Sequence, residues 1–290
     1  MTIPLFVELC AGTAALSLRL HRDGARPPVS RMGAKTGYAD AILRVLGLRP
    51  GQRAAAYLWC EPDPGVRLLL HTYRDAGMAR AAAAIIRSWA AEDPRALWER
   101  LRAEGPPRLP DGEVDAGEVA RFIVDTCTSI GHAAGEGGFA AGQIGRGTPG
   151  DPRRPREVTH IAAACDRLPT IDGALIHPDA RDIDPPALPP GTVAYLDGPY
   201  ENTTQYAHLL PRAEQVALAR RWAAAGATVA ISEAEAIPEL VAEGWHAVRI
   251  DGERSGQKRT FSRQQEEWVT MSRPPAWRPA VQGGLFGGAR

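Results

Sequence analysis

The stretch LFVELCAGTAALSLRLH, residues 5–21, decides how the rest of the chain is read. Leu5, Phe6, Val7 and Leu9 form a short apolar run interrupted only by Glu8, which predicts a buried strand. The small residues Cys10, Ala11, Gly12 and Thr13 predict a turn, and residues 14–21 a helix. Strand, glycine turn and helix in that order open a nucleotide-type α/β unit.

Outward from there the same alternation repeats. Gly24, Pro27, Pro28 and Gly33 punctuate a loop over 24–35, and a helix is predicted over 38–46. A second strand over 54–60 ends in the acidic turn Glu61-Pro62-Asp63-Pro64. Helices are predicted over 65–76 and 79–102, the second broken near Pro94 because proline cannot donate inside a helix. After a linker at 106–111 comes a helix over 114–132, then the loop-like GEGGFAAGQIGRGTPGDPRRPR at 135–156. Regular order returns with a helix over 157–167, strands over 174–177 and 193–196, a helix over 212–225, a strand over 228–232 and a helix over 233–243. Strands over 246–251 and 267–272 close the pattern. Strands alternating with helices predict a mostly parallel sheet covered on both faces, here with an antiparallel pair at one edge. Ligands of such sheets lie beyond the carboxyl ends of the strands. Glu8 to Gly12, Glu61 to Asp63, Asp179 to Asp182 and Asp197 to Tyr200 all fall at such ends.

The 290 residues, 44% apolar and 23% charged, suffice for one sizeable core or two small ones. The 34 basic and 34 acidic residues cancel, which excludes a uniformly basic nucleic-acid coat. The cancellation is uneven: residues 1–50 hold seven cations and three acids, 251–290 hold seven and four, and 51–250 hold 20 and 27. Lys35 and Lys258 are the only lysines, against 32 arginines. Cys10, Cys60, Cys127 and Cys165 form no CxxC pair, so neither a metal site nor a disulfide scaffold is expected. No signal segment and no membrane span are expected, and a soluble, cytoplasmic protein is.

The turn at Gly12 lets a ligand approach the backbone, although it lacks GxGxxG and the P-loop pattern; a turn that only packs reads the same way. Glu61 or Asp63 stands where nucleotide binders place a carboxylate for ribose hydroxyls, and a solvated acidic turn is the alternative. The most informative stretch is VAYLDGPYENTTQY, residues 193–206. Methylating the exocyclic amine of a base requires that its delocalised lone pair be drawn out. A carboxylate and a backbone carbonyl, each accepting one amino hydrogen, do this, and an aromatic face holds the extruded base. Asp197, the carbonyl of Gly198 and the ring of Tyr200 are those groups in order, with Pro199 between them.

This set resembles the amino-group DNA methyltransferases that use S-adenosylmethionine, above all the Dam-like N6-adenine enzymes. FVELCAGTAAL resembles their motif I, AYLWCEPD motif II, LIHPDARDI motif III and LDGPYENTTQY the catalytic DPPY motif IV. SRMGAKTGYADAIL is similar to the R-x-G-G-K segment, and VAISEAEA with KRTFSRQQEEWVTMS resembles the last core strands and their hairpin. The resemblance spans residues 5–272 apart from a central insert. It implies a Rossmann-like methyltransferase fold and S-adenosylmethionine as cofactor. It also implies that Glu8, Cys10, Ala11 and Gly12 touch the methionine end of the cofactor, Lys35 its carboxylate, Glu61 the ribose and Asp179 the adenine amine. Asp197, beside the cofactor, forms the base-amine site with Gly198, Pro199 and Tyr200. Three features depart from the family pattern: the lysine segment follows motif I instead of preceding it, Ala34 replaces its second glycine, and D-G-P-Y replaces D-P-P-Y. Glycine keeps the carbonyl but loosens φ, so Gly198→Pro is expected to keep or raise turnover.

The expected organisation is a catalytic domain of residues 1–78 and 157–272, an insert of 79–156 for target recognition, and a flexible tail of 273–290. DNA is the expected partner. Arg146, Arg153, Arg154 and Arg156 are candidates for phosphate or guanine contacts, with a disordered linker as the rival reading. Arg254, Lys258, Arg259 and Arg263 are candidates for a backbone-gripping arm, or a solvated loop. Gln282, Gly283, Gly284, Leu285 and Phe286 resemble the peptide with which bacterial DNA-processing proteins dock on the sliding clamp. The expected activity is N6-adenine methylation of DNA. N4-cytosine methylation, or a non-catalytic binding module with a degenerate methyltransferase fold, is the alternative.

Overall fold

The computed structural model describes residues 2–29, 35–109, 114–130, 138–139, 158–200, 208–250 and 267–278. Strand β1 (Phe6–Glu8) leads through α1 (Ala15–His21), a 3-10 turn (Lys35–Gly37) and α2 (Ala39–Val45) to β2 (Tyr57–Cys60). Helices α3 (Pro64–Arg74), α4 (Ala76–Ser88), α5 (Pro94–Ala103) and α6 (Ala116–Thr128) follow. A two-residue pairing of β3 (Ser129–Ile130) with β4 (Gly138–Phe139) precedes α7 (Val158–Asp166). Then come β5 (Leu175–His177), β6 (Val193–Leu196), α8 (Arg212–Ala224), β7 (Thr228–Glu233), α9 (Pro238–Ala242), β8 (His246–Ile250) and β9 (Glu267–Met271).

Seven strands form one sheet in the order β5-β2-β1-β6-β7-β9-β8, and only β9 runs against the others. This is a Rossmann-like sheet with an antiparallel edge hairpin, as expected. The chain winds outward from β1 through β2 to β5, then returns to β6 on the other side of β1. The crevice between the carboxyl ends of β1 and β6 is therefore the topological switch point, where open α/β sheets bind ligands.

Alternation along the strands divides the core between the two faces. Phe6, Val193, Tyr195 and Ala230 pack with residues of α1, α2 and α3 on one face. Val7, Ala194, Leu196, Val229 and Ile231 pack with α8 and α9 on the other. Because both faces are covered, β6 reads VAYL with every residue buried. Ala82, Ala83 and Ile86 of α4, Leu97 and Leu101 of α5, and Phe122 and Ile123 of α6 belong to the first core. The helical part of the expected insert is thus built into the body of the protein, with α4 against α7 and α6 against α3.

The helix starts have visible causes. The Asp63 carboxylate accepts from the amides of Gly65 and Val66, and Pro64 occupies the first helical position. The expected break near Pro94 is a new helix start, capped by Asp93. Two expected helices are shorter than predicted. The one over 114–132 stops at Thr128, where Ser129 turns extended and pairs with Phe139. The one over 233–243 shrinks to Pro238–Ala242: Glu233 still belongs to β7, and Pro238 suits only the first turn. Among the described residues no helix is long and apolar enough to cross a membrane.

Candidate active site

Glu8 ends β1 and is 2% exposed. Its carboxylate accepts from the amide of Ser17 at 2.8 Å. This amide belongs to the first turn of α1, whose N-cap, Ala14, offers no side-chain acceptor. Glu8 therefore caps α1 from the end of a neighbouring strand, where the helix dipole favours negative charge. Burial nevertheless pushes its carboxyl up to about 7, the Ser17 hydrogen bond lowering it and the nearby Asp197 raising it further.

The turn after β1 closes against β2. The amide of Gly12 donates to Glu61 Oε2 at 2.7 Å, and the amide of Asp63 to Glu61 Oε1 at 3.0 Å. Gly12 has φ +49°, a left-handed conformation, and a Cβ added there would meet no atom within 4 Å. The turn thus leaves open space beside its backbone, as a ligand approaching it requires. Burial first, then the Glu61 and Asp197 carboxylates, push the Cys10 thiol well above its ordinary range, and burial pushes Cys60 up to about 12.

Across the switch point, Asp197 follows β6. Lys35, 3% exposed, places Nζ 2.5 Å from Asp197 Oδ1, 3.7 Å from Glu267 Oε1 and 4.8 Å from the centre of the Tyr200 ring. The Tyr200 hydroxyl donates to Glu267 Oε1 at 2.5 Å. One buried glutamate at the start of β9 therefore fixes both the aromatic ring and the lysine. Lys35 is thus buried, and its partner in this arrangement is Asp197.

Asp179 stands after β5 on the same rim, but its carboxylate is committed. It caps the 3-10 turn Ala180–Asp182 through the Arg181 amide and pairs with the Arg181 guanidinium, which holds it below the usual carboxylate range. Arg181 also reaches Glu214 on α8.

Gly198 departs from the expectation drawn from its sequence. A Cβ at this position would lie 2.8 Å from both Cδ and Oε1 of Gln215, a side chain that is itself 1% exposed. Gly198→Pro would bring its ring against that buried amide, so the Gln215 side chain must shift to admit it, a contact that the argument from φ did not consider.

Glu8, Cys10, Gly12, Lys35, Glu61, Asp197 and Tyr200 come together around the switch point. Glu267 and Gln215 were missed in the sequence. Each carried a signal: Glu267 is in phase with Val269 and Met271, and Gln215 lies at helical spacing with Leu218, Ala219 and Trp222, so both are polar residues on apolar stripes. The candidate DNA contacts Arg146, Arg153, Arg154, Arg156, Arg254, Lys258, Arg259 and Arg263 lie outside the described residues, as do Gln282 to Phe286 and the motif IV continuation at 201–206. Among the described residues no group of three or more His, Cys, Asp or Glu is placed to hold a metal ion.

Among the described residues the cluster sets the acids Glu8, Glu61, Asp197 and Glu267 beside the ammonium of Lys35. No protein-family model and no curated protein matches the chain.

Proposed function

We propose that this chain is an S-adenosylmethionine-dependent methyltransferase acting on the N6 amino group of adenine in DNA. The observation that carries the reading is the meeting of the Glu8–Gly12 turn with Asp197-Gly198-Pro199-Tyr200 across the β1/β6 switch point. The residues fit the cofactor in space and in polarity: the turn at Gly12 leaves room beside its backbone, and the acids of the rim suit its cationic sulfonium and ammonium groups. Glu61, held by two backbone amides, stands on that rim where the resemblance places a ribose hydroxyl. The cofactor supplies a methyl group already activated on sulfur.

The chain's own residues orient the acceptor. Asp197 and the Gly198 carbonyl accept the two amino hydrogens, which localises the nitrogen lone pair toward the methyl donor. Tyr200 offers its ring to the extruded base, with its hydroxyl anchored on Glu267. Lys35 engages Oδ1 of Asp197 and so sets the direction of the carboxylate. A direct transfer, in which the carbon–sulfur bond breaks as the carbon–nitrogen bond forms and the amine's proton passes to Asp197 or to solvent, would need no thiolate, in keeping with the raised Cys10 and Cys60 thiols. DNA as the substrate rests on the resemblance of motif IV and on the cationic runs at 146–156 and 254–263. In the sequence the second run precedes Glu267, which reaches Lys35 in the crevice.

Incubation with labelled S-adenosylmethionine and DNA, followed by nucleoside analysis, tests the reading. N6-methyladenine is expected. N4-methylcytosine would move the activity to the sister chemistry, and no labelled base would leave a binding module. Asp197→Ala should remove at least about a hundredfold of the rate, the scale of losing one transition-state contact. Full activity in that variant would overturn the catalytic assignment.

A further inference from the structure

Gln215 lies in the first turns of α8, and its side chain leaves the helix face toward motif IV. Its amide nitrogen donates twice, to the carbonyl of Pro199 at 2.8 Å and to that of Leu210 at 2.9 Å. The two acceptors flank the segment that leaves motif IV and returns to α8, so one side chain ties both of its stems together. The amide oxygen is buried, has no hydrogen-bond partner among the described residues, and lies against Gly198, where any Cβ would strike it. An amide with both hydrogens used on carbonyls cannot be turned over, because its oxygen would then face those carbonyls.

On the methyltransferase reading above, we infer that Gln215 is a positioning residue for amine activation, and that Gly198 is glycine because Gln215 occupies the space a side chain would fill. The peptide unit from Gly198 to Pro199 is gripped from both sides: the Gln215 amide fills the space beside the Gly198 Cα, and one of that amide's hydrogens holds the Pro199 carbonyl. The direction of the Gly198 carbonyl, the proposed second acceptor of the base amine, is thereby fixed. The φ restriction lost with proline is replaced by contact from another helix.

The test is a mutant cycle on the full chain. Gln215→Ala and Gln215→Met both remove the donors, and Met keeps most of the volume in case Ala unfolds the protein. Each should lower kcat for methyl transfer to a duplex containing adenine by about tenfold to a hundredfold, the loss associated with ångström-scale misplacement. Affinity for S-adenosylhomocysteine should stay within about twofold, since the cofactor side is untouched. Gly198→Ala alone should lower both kcat and Tm. Combined with Gln215→Ala it should add nothing further, because the clash has gone. Wild-type kcat in both Gln215 variants would overturn the positioning role, and additive Tm losses would overturn the matched pair. If the wild-type chain itself transfers no methyl group, the functional reading fails and the positioning role with it, while the Tm cycle still decides whether glycine and glutamine are matched.

Discussion

Two carboxylates stand at the ends of neighbouring strands, and the protein treats them differently. Asp197 ends β6 and receives the ammonium of Lys35 at 2.5 Å, with Glu267 as that lysine's second acid. Glu8 ends β1 and receives a backbone amide, and its carboxyl rises to about 7. One negative charge is neutralised by a fixed cation, the other by a proton that leaves near neutrality. On the proposed function a cationic ligand would replace the proton on Glu8 without competing with Lys35, so that one charge would serve geometry and the other binding.

The largest effect should come from removing the fixed cation. Lys35→Met takes from Asp197 and the buried Glu267 the ammonium they share, and breaking a buried pair costs about 3–5 kcal/mol. Chemical denaturation of the variant beside the wild type should show that loss. A loss below about 1 kcal/mol would mean that the pair contributes no more than a solvated one.

Next comes the other carboxylate. Glu8 binds its proton more tightly in the folded chain than in the unfolded one, so it favours folding at low pH, and that contribution is lost as pH rises from about 4.5 to about 7. A shift of this size corresponds to about 3 kcal/mol across that window. Gln at position 8 does not titrate, so the stability difference between wild type and Glu8→Gln should change by about that amount between pH 4.5 and 7.5. A constant difference would show that Glu8 stays ionised throughout.

The same proton should report on the ligand. If Glu8 must be ionised to receive a sulfonium, S-adenosylmethionine should bind up to about tenfold more weakly per pH unit below 7, and Glu8→Gln should bind weakly at every pH. Calorimetry across pH 5.5–8 reads this directly. A flat profile in the wild type would detach Glu8 from the cationic end of the cofactor.

Much of this was legible in the sequence, for a physical reason. The core strands are short apolar runs that end at an acid or a glycine, so composition alone marks both the strand and its carboxyl end. Glu8, Glu61 and Asp197 were found in that way. What escaped depended on contacts between residues far apart in sequence. Glu233 opens the helix expected over 233–243, yet it ends β7, where Arg212, at the start of α8, pairs with it at 3.3 Å. Glu267 carries no local mark that separates it from Glu266 except its phase with Val269 and Met271. At Gly198 the backbone argument considered φ, whereas a side chain seventeen residues later decides the position.

That last case sharpens the comparison between the two strand ends, because each also carries a glycine. Gly12 needs its conformation: φ is +49°, and the space where a Cβ would stand is empty. Gly198 needs its missing side chain, since Gln215 fills that space. Gly12→Ala should therefore cost only the left-handed strain of an L-residue, about 1–2 kcal/mol. It should weaken S-adenosylmethionine binding, because the new methyl projects into the open side of the turn. Gly198→Ala should leave that binding unchanged and lower kcat. Measured side by side, Kd should move for the first variant and kcat for the second. If both variants moved Kd alike, the two glycines would line one wall of the same cofactor pocket, and the division between a binding end at β1 and a reacting end at β6 would fail.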